Sequence, residues 1–281
     1  MSPVRRHCLS ISALLCTITS HEHANLLRFT RHFSISYTVG YKTYTLSDDY
    51  TLIGLCFENV AGGAMGLNDA LPYKDGMTKG ATSSAADSIQ VMGTDDEYQV
   101  YFLSDGHYGK NNASYNAELD GKWLKTAGAA CTDTVQAGQA LWYVSKTAKS
   151  TPHSITVAGS VLATSATSPK ACANAYTLIG NPYACDVPLN GGVVTTGAKK
   201  AATSSDSDNI QVMGEDNQYK VYFLSDGHYG KNNASYNAEL DGKWLMTAGA
   251  ACSDSIPAGR AIWYVSRNSG TTVQLTNPVA E

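Results

Sequence analysis

The chain is poor in charge, and its charge is dispersed. Asp, Glu, Lys and Arg make up 16% of 281 residues, and the net charge is −4. Sequence-independent nucleic-acid binding draws on about 6–10 phosphate contacts from Lys and Arg. The one basic cluster, Arg5, Arg6, Arg28 and Arg31, lies ahead of everything else, so no nucleic-acid partner is expected. No run approaches the roughly 20 apolar residues of a membrane-spanning helix, so no transmembrane segment is expected. Helical periodicity is lacking, which argues against long amphipathic helices. There are seven cysteines, none in a CxxC or Cys/His spacing, so no zinc site is read. The GHYGK segments, Gly106–Lys110 and Gly227–Lys231, have neither the glycine spacing nor the Ser or Thr of a phosphate loop. Neither metal nor cofactor is expected.

What the chain has instead is Tyr, Gly, Ser, Thr and Asn, and a long repeat. The stretch from Tyr98 to Cys131 returns from Tyr219 to Cys252 with two changes, Lys220 for Gln99 and Met246 for Lys125. A match of that length means a duplicated unit. Short β-branched and aromatic runs alternate with turn-forming residues. The expected fold class is all-β, as two tandem homologous antiparallel β-sandwich or partly closed β-barrel domains over residues 36–160 and 161–281. The YQVYFLS run at 98–104 is apolar on both faces and is expected to lie inside a sheet. The Gly-rich segment 61–80 has no apolar period and is expected at the surface, and 162–175 reads as a linker or irregular edge. Residues 1–35 begin basic and continue into the modest apolar run CLSISALLCTITS, which resembles a secretory signal peptide. A misassigned start and a disordered tail fit that leader as well.

The landmarks recur in one order. They are YTLIG (50–54, 176–180), DSIQV or DNIQV (87–91, 208–212), YFL (101–103, 222–224), KW (122–123, 243–244) and WYVS (142–145, 263–266). With Pro257-Ala258-Gly259 ahead of Trp263, this order resembles a largely uncharacterised family of secreted or surface-associated bacterial β-repeat proteins. The first repeat departs from the pattern, with Val135-Gln136-Ala137 where the second has Ile256-Pro257-Ala258. The resemblance implies export and a repeated β scaffold, and it brings no catalytic residues.

Ser104-Asp105-Gly106-His107 and Ser225-Asp226-Gly227-His228 gather the residue types of a nucleophilic triad. A triad needs those groups to converge from different elements, whereas Asp-Gly after a strand signals a turn. Glu118 with Asp120 and Glu239 with Asp241 lie too close in sequence to flank a glycosidic bond, so they read as hairpin turns. Asp206 and Asp208 open like a calcium loop, but the Gly and distal Glu do not follow. All four tryptophans lie on strands and are expected in the core.

The composition after each YFLS strand is that of a binding loop, in which Tyr gives contact area at low entropic cost. The expected ligand-binding residues are Asp105, His107, Tyr108, Asn111, Asn112 and Tyr115, with Asp226, His228, Tyr229, Asn232, Asn233 and Tyr236 in the second repeat. Disulfides Cys56–Cys131 and Cys185–Cys252 suit an oxidising compartment. A Cys172–Cys185 bridge and buried thiols are the alternatives. The expectation is a non-catalytic, extracellular or cell-surface module contacting polysaccharide or another surface protein. A polysaccharide-active hydrolase with a site between the repeats, and a structural subunit joined by edge-strand pairing, stand beside it.

Overall fold

The structure is a computed structural model describing residues 38–93, 97–107, 114–125, 129–172, 176–214, 218–228, 235–246 and 250–279. The expected leader lies outside the described residues, as do Tyr108, Asn111, Asn112, Tyr229, Asn232 and Asn233.

The first repeat runs β1 (Val39–Leu46), β2 (Tyr50–Gly54), β3 (Phe57–Glu58), β4 (Met65–Gly66), a single helical turn α1 (Leu67–Ala70), β5 (Ser88–Met92), β6 (Tyr98–Asp105), β7 (Asp120–Leu124), β8 (Thr134–Val135), β9 (Ala140–Val144) and β10 (His153–Val161). The second runs β11 (Lys170–Cys172), β12 (Tyr176–Gly180), β13 (Val187–Pro188), α2 (Leu189–Gly192), β14 (Val193–Thr196), β15 (Asn209–Met213), β16 (Tyr219–Asp226), β17 (Asp241–Met246), β18 (Ser255–Ile256), β19 (Ala261–Val265) and β20 (Thr271–Leu275). Their five-stranded sheets are β2-β9-β5-β6-β7 and β12-β19-β15-β16-β17. Opposite these lie the three-stranded sheets β1-β10-β3 and β11-β20-β14, and each repeat adds a short ribbon, β4-β8 or β13-β18. The sheets are antiparallel, and none among the described residues closes into a barrel. The chain is all-β and sandwich-like. No helix among the described residues is long and apolar enough to cross a membrane.

Strand alternation explains the core. In the first repeat Ile53, Ile89, Tyr101, Leu103, Leu141 and Tyr143 project from the large sheet onto Tyr44, Leu46, Phe57, Ile155 and Val157 of the small one. Phe102 points the other way, onto Ala86 and Leu124, so both faces of β6 are covered and the strand lies between two neighbours. The second repeat builds the same cluster, with Ile179, Ile210, Tyr222, Leu224 and Tyr264 against Val193, Val273 and Leu275. Trp123 and Trp244 lie deep in these cores, edge-on to Tyr143 and Tyr264 at 6.1 and 6.2 Å.

The recurring Asp before Ser/Asn-Ile-Gln-Val has a structural role. Asp87 is wholly buried and accepts from the Tyr143 hydroxyl at 2.7 Å, the Lys146 N–H at 2.7 Å and the Thr78 N–H at 3.1 Å. Asp208 accepts from the Tyr264 hydroxyl at 2.7 Å and the Arg267 N–H at 2.6 Å. Such charge-assisted bonds offset the desolvation that a buried carboxylate suffers. Burial, and then the adjoining carboxylate, raises the Tyr143 pKa. Asp208 is thus committed to the core, away from the exposed Asp206 with which it would have opened a calcium loop.

Segment 61–80 is only partly at the surface. Met65, Leu67, Leu71 and Met77 are buried, and α1 brings Asn68 against β7. Asn68 Oδ1 accepts the Trp123 N–H at 2.7 Å, while Nδ2 donates to Cys131 O at 3.2 Å. Asn190 repeats this clip at 2.8 and 2.9 Å. A lone helical turn has too few positions to show a period, so its apolar residues escaped the sequence pattern. Likewise, 162–175 is not all linker, because β11 pairs with β20.

The repeats meet through equivalent positions. The Gly54 N–H donates to Gly259 O at 3.0 Å, and the Gly180 N–H donates to Gly138 O at 2.9 Å. Gly54 and Gly180 end the two YTLIG strands, and Gly138 and Gly259 precede the two WYVS strands. The contact is therefore isologous, related by a local two-fold axis. Leu52, Ala140, Leu178 and Ala261 form its apolar centre, flanked by Met92, Met213, Trp142 and Trp263. A Cβ built on Gly54 would lie 2.1 Å from Arg260 O, and one on Gly180 would lie 2.6 Å from Gln139 O. Glycine is required there because two backbones touch.

Candidate functional site

The expected binding residues lie at the far end of each β6–β7 or β16–β17 hairpin. Asp105 faces Asp120 across the closing pair of the first, beyond a register shift. Gly106 takes φ +87 and its N–H donates to Ser104 Oγ at 3.0 Å, while Asp105 Oδ1 accepts the His107 N–H at 2.9 Å. His107 Nδ1 stays 3.3 Å from the same oxygen. Ser104 is fully buried and its hydroxyl is engaged by the turn. The four residues form an internally bonded turn, with Asp and His adjoining each other and Ser set apart below.

Gly106 also makes room for an aromatic ring, since a Cβ there would lie 2.2 Å from Tyr115 Cε2. Seated on the glycine, the Tyr115 ring tilts against His107 at 5.5 Å between centroids. Its hydroxyl donates to Asp120 Oδ2 at 3.0 Å, and Lys79 Nζ holds Asp120 Oδ1 at 2.7 Å. Lys79 also lies over the Tyr73 ring, 4.8 Å from its centroid. The hydrogen bond from Lys79, then that from Tyr115, holds the Asp120 carboxyl below its ordinary range. The bond to Asp120 in turn raises the Tyr115 pKa. The second repeat reproduces the tyrosine, histidine, aspartate and lysine of this set but not the Tyr73 contact. Tyr236 lies 5.5 Å from His228, its hydroxyl 3.1 Å from Asp241, and Lys200 sits 2.6 Å from Asp241. Tyr115 is 56% exposed and Tyr236 55%, so each tip presents a braced tyrosine ring to solvent. Of the expected residues, Asp105, His107 and Tyr115 come together, as do Asp226, His228 and Tyr236.

No family model matches the chain, and neither the curated proteins nor the solved structures provide a match.

The expected disulfides are not formed, for the five described cysteines make none among themselves. Cys131 Sγ instead faces Asn68 Nδ2 at 3.6 Å, and Cys252 Sγ faces Asn190 Nδ2 at 3.5 Å. Cys185 Sγ points at Asn277 Oδ1, 3.6 Å away, and Cys172 Sγ at Lys170 O, 3.7 Å away. Cys56 is buried, and burial pushes its thiol from an ordinary 9.0 to about 12. Among the described residues, no group of three or more His, Cys, Asp or Glu could hold a metal ion.

Two features escaped the sequence reading. Trp142 and Trp263 sit on the outer faces of the large sheets, half-buried and edge-on to the exposed Tyr50 and Tyr176 at 6.4 and 6.0 Å. Alternation from the inward Tyr143 and Tyr264 would have placed them there. The second feature is an open cleft of about 800 Å³ between the repeats, lined by Gly138, Gln139, Ser168, Lys170, Leu162 and Leu178 among others. His107 and His228 are not among its lining residues. Part of its wall, including Leu162, Ser168 and Lys170, comes from the segment read as a linker.

Proposed function

We propose that this chain is a non-catalytic binding module acting outside the cell or at its surface, and that its twin tips contact polysaccharide. The observation that carries this reading is the exposed tyrosine of each tip, seated on a glycine and tied to a Lys–Asp pair. A ring held in place before contact loses little freedom on binding, and its face suits a sugar ring, with His107, Asp105 and Asp120 beside it for hydroxyl groups. Two equivalent tips on one chain would bind a repeating polymer with avidity. The expected extracellular setting follows from the leader and the family resemblance.

A glycan array probed with residues 36–281 tests the reading. Polysaccharide signals should fall steeply in a Tyr115→Ala, Tyr236→Ala double variant and partly in each single variant. A flat array, or signals that survive the double variant, would reject it.

A further inference from the structure

The two sides of the junction are related by symmetry but are not filled alike. On one side β1 covers the junction. The Tyr44 hydroxyl donates to Gly54 O at 2.9 Å. A Cβ at Gly259 would lie 2.7 Å from that hydroxyl and 3.0 Å from Lys42 Cγ. On the other side the equivalent glycine is open, and a Cβ at Gly138 would meet nothing nearer than Pro182 at 3.5 Å.

The reason can be read by aligning the repeats on YTLIG. Tyr44 and Lys170 occupy matching positions ahead of Tyr50 and Tyr176, as do Lys42 and Ser168. Strand register agrees, since Tyr44 pairs with the buried Ile155 and Lys170 with the buried Val273. Where the first repeat has a ring and a long stem, the second has an amine and a short hydroxyl. The space left over is the cleft.

Lys170 is exposed as a residue, yet its amine reaches in to donate to the carbonyl of the buried Leu178 at 2.6 Å. Desolvation there lowers its pKa. An ammonium group has three donors, and one carbonyl does not balance its charge. The ion pairs among the described residues involve Lys79, His107, Lys125, Lys200 and His228, and none includes Lys170. Glu58 also borders the cleft, and among the described residues it forms no ion pair with Lys170. Lys170 is the only cation among the lining residues, which suits one negative charge and not a multiply charged phosphate. Leu162 and Leu178 supply apolar wall, and the volume of about 800 Å³ is that of a small-molecule site, typically about 300–1,000 Å³.

We propose that the cleft between the repeats binds a small monocarboxylate, with its carboxylate on Lys170 and its body against Leu162 and Leu178. This site lies apart from the tips, so either reading can fail alone.

Ligand-observed NMR titrations on the full chain test it, using benzoate and glucuronate against their uncharged counterparts benzamide and glucose. At least one acid should bind tenfold or more tightly than its counterpart, as expected for a charge-assisted bond. That preference should vanish in Lys170→Met and persist in Lys170→Arg. A Ser168→Lys, Lys170→Tyr double variant imports the filling of the other side, and should abolish binding while leaving the melting temperature near that of the parent. If the Met variant fails to fold, the Arg variant and the double variant make the same comparison. Absence of binding by both acids, equal binding by the neutral compounds, or binding retained in the double variant would overturn the proposal.

Discussion

The tips and the junction show two ways of treating a duplication. At the tips the repeats are identical in sequence, and their geometry is the same to within about 0.1 Å in the bonds from tyrosine to Asp120 or Asp241. At the junction the backbone contact is kept, glycine to glycine in both directions, while the side chains over it diverge from Tyr44 and Lys42 to Lys170 and Ser168. The tips and the cores stay alike, and the divergence falls on the side chains that cover the junction. A two-fold contact inside one chain has no need of two-fold side chains, because the two sides are separately encoded.

Variants placed symmetrically sharpen that comparison. The largest effect should come from Asp87→Ala or Asp208→Ala, which leaves buried donors without their acceptor and should remove about 5 kcal/mol of stability. Denaturant titration should show similar losses for the two, and a loss under about 1 kcal/mol in either would break the equivalence of the cores. Next is the pH effect of Cys56, which has no counterpart in the second repeat because Pro182 stands at its position. The folded thiol titrates near 12 against an ordinary 9.0, so its contribution is complete below pH 9 and is lost as pH rises toward 12. That amounts to on the order of 4 kcal/mol, and Cys56→Ala should flatten the alkaline limb of a stability curve. Gly54→Ala follows, at about 3 kcal/mol from overpacking against a backbone carbonyl; Gly180→Ala, with its longer 2.6 Å approach, should lose less in the same thermal melt. Smallest is Lys125→Met, which copies Met246 and deletes the ion pair with Asp133. Both partners are well exposed, so the change should stay under about 1 kcal/mol.

Much of the scaffold was legible because strands write a period of two. The YTLIG, IQV, YFL and WYVS runs are β2, β5, β6 and β9 with their counterparts, and the inward alternation of Tyr101 and Leu103 holds. The Ser-Asp-Gly-His segment is a turn because its neighbours satisfy one another. What sequence could not supply was the third dimension around short pieces. Met65, Leu67 and Met77 enter the core from a segment with no sustained period. The cysteines look paired by their place in the repeats, but Asn68 and Asn190 meet Cys131 and Cys252 instead. Lys170 becomes distinctive only against Tyr44, and that comparison needs the register of strands far apart in sequence. The tips were found by composition, and their bracing by Lys79 and Lys200 was not, because the brace arrives from a different loop.

The mutual glycine contact has a further consequence for how the molecule assembles itself. A surface that fits its own duplicate cannot tell whether that duplicate lies farther along the same chain or on another molecule. Tethering keeps the closed form ahead when molecules are dilute, and refolding at high concentration invites halves to be traded between neighbours.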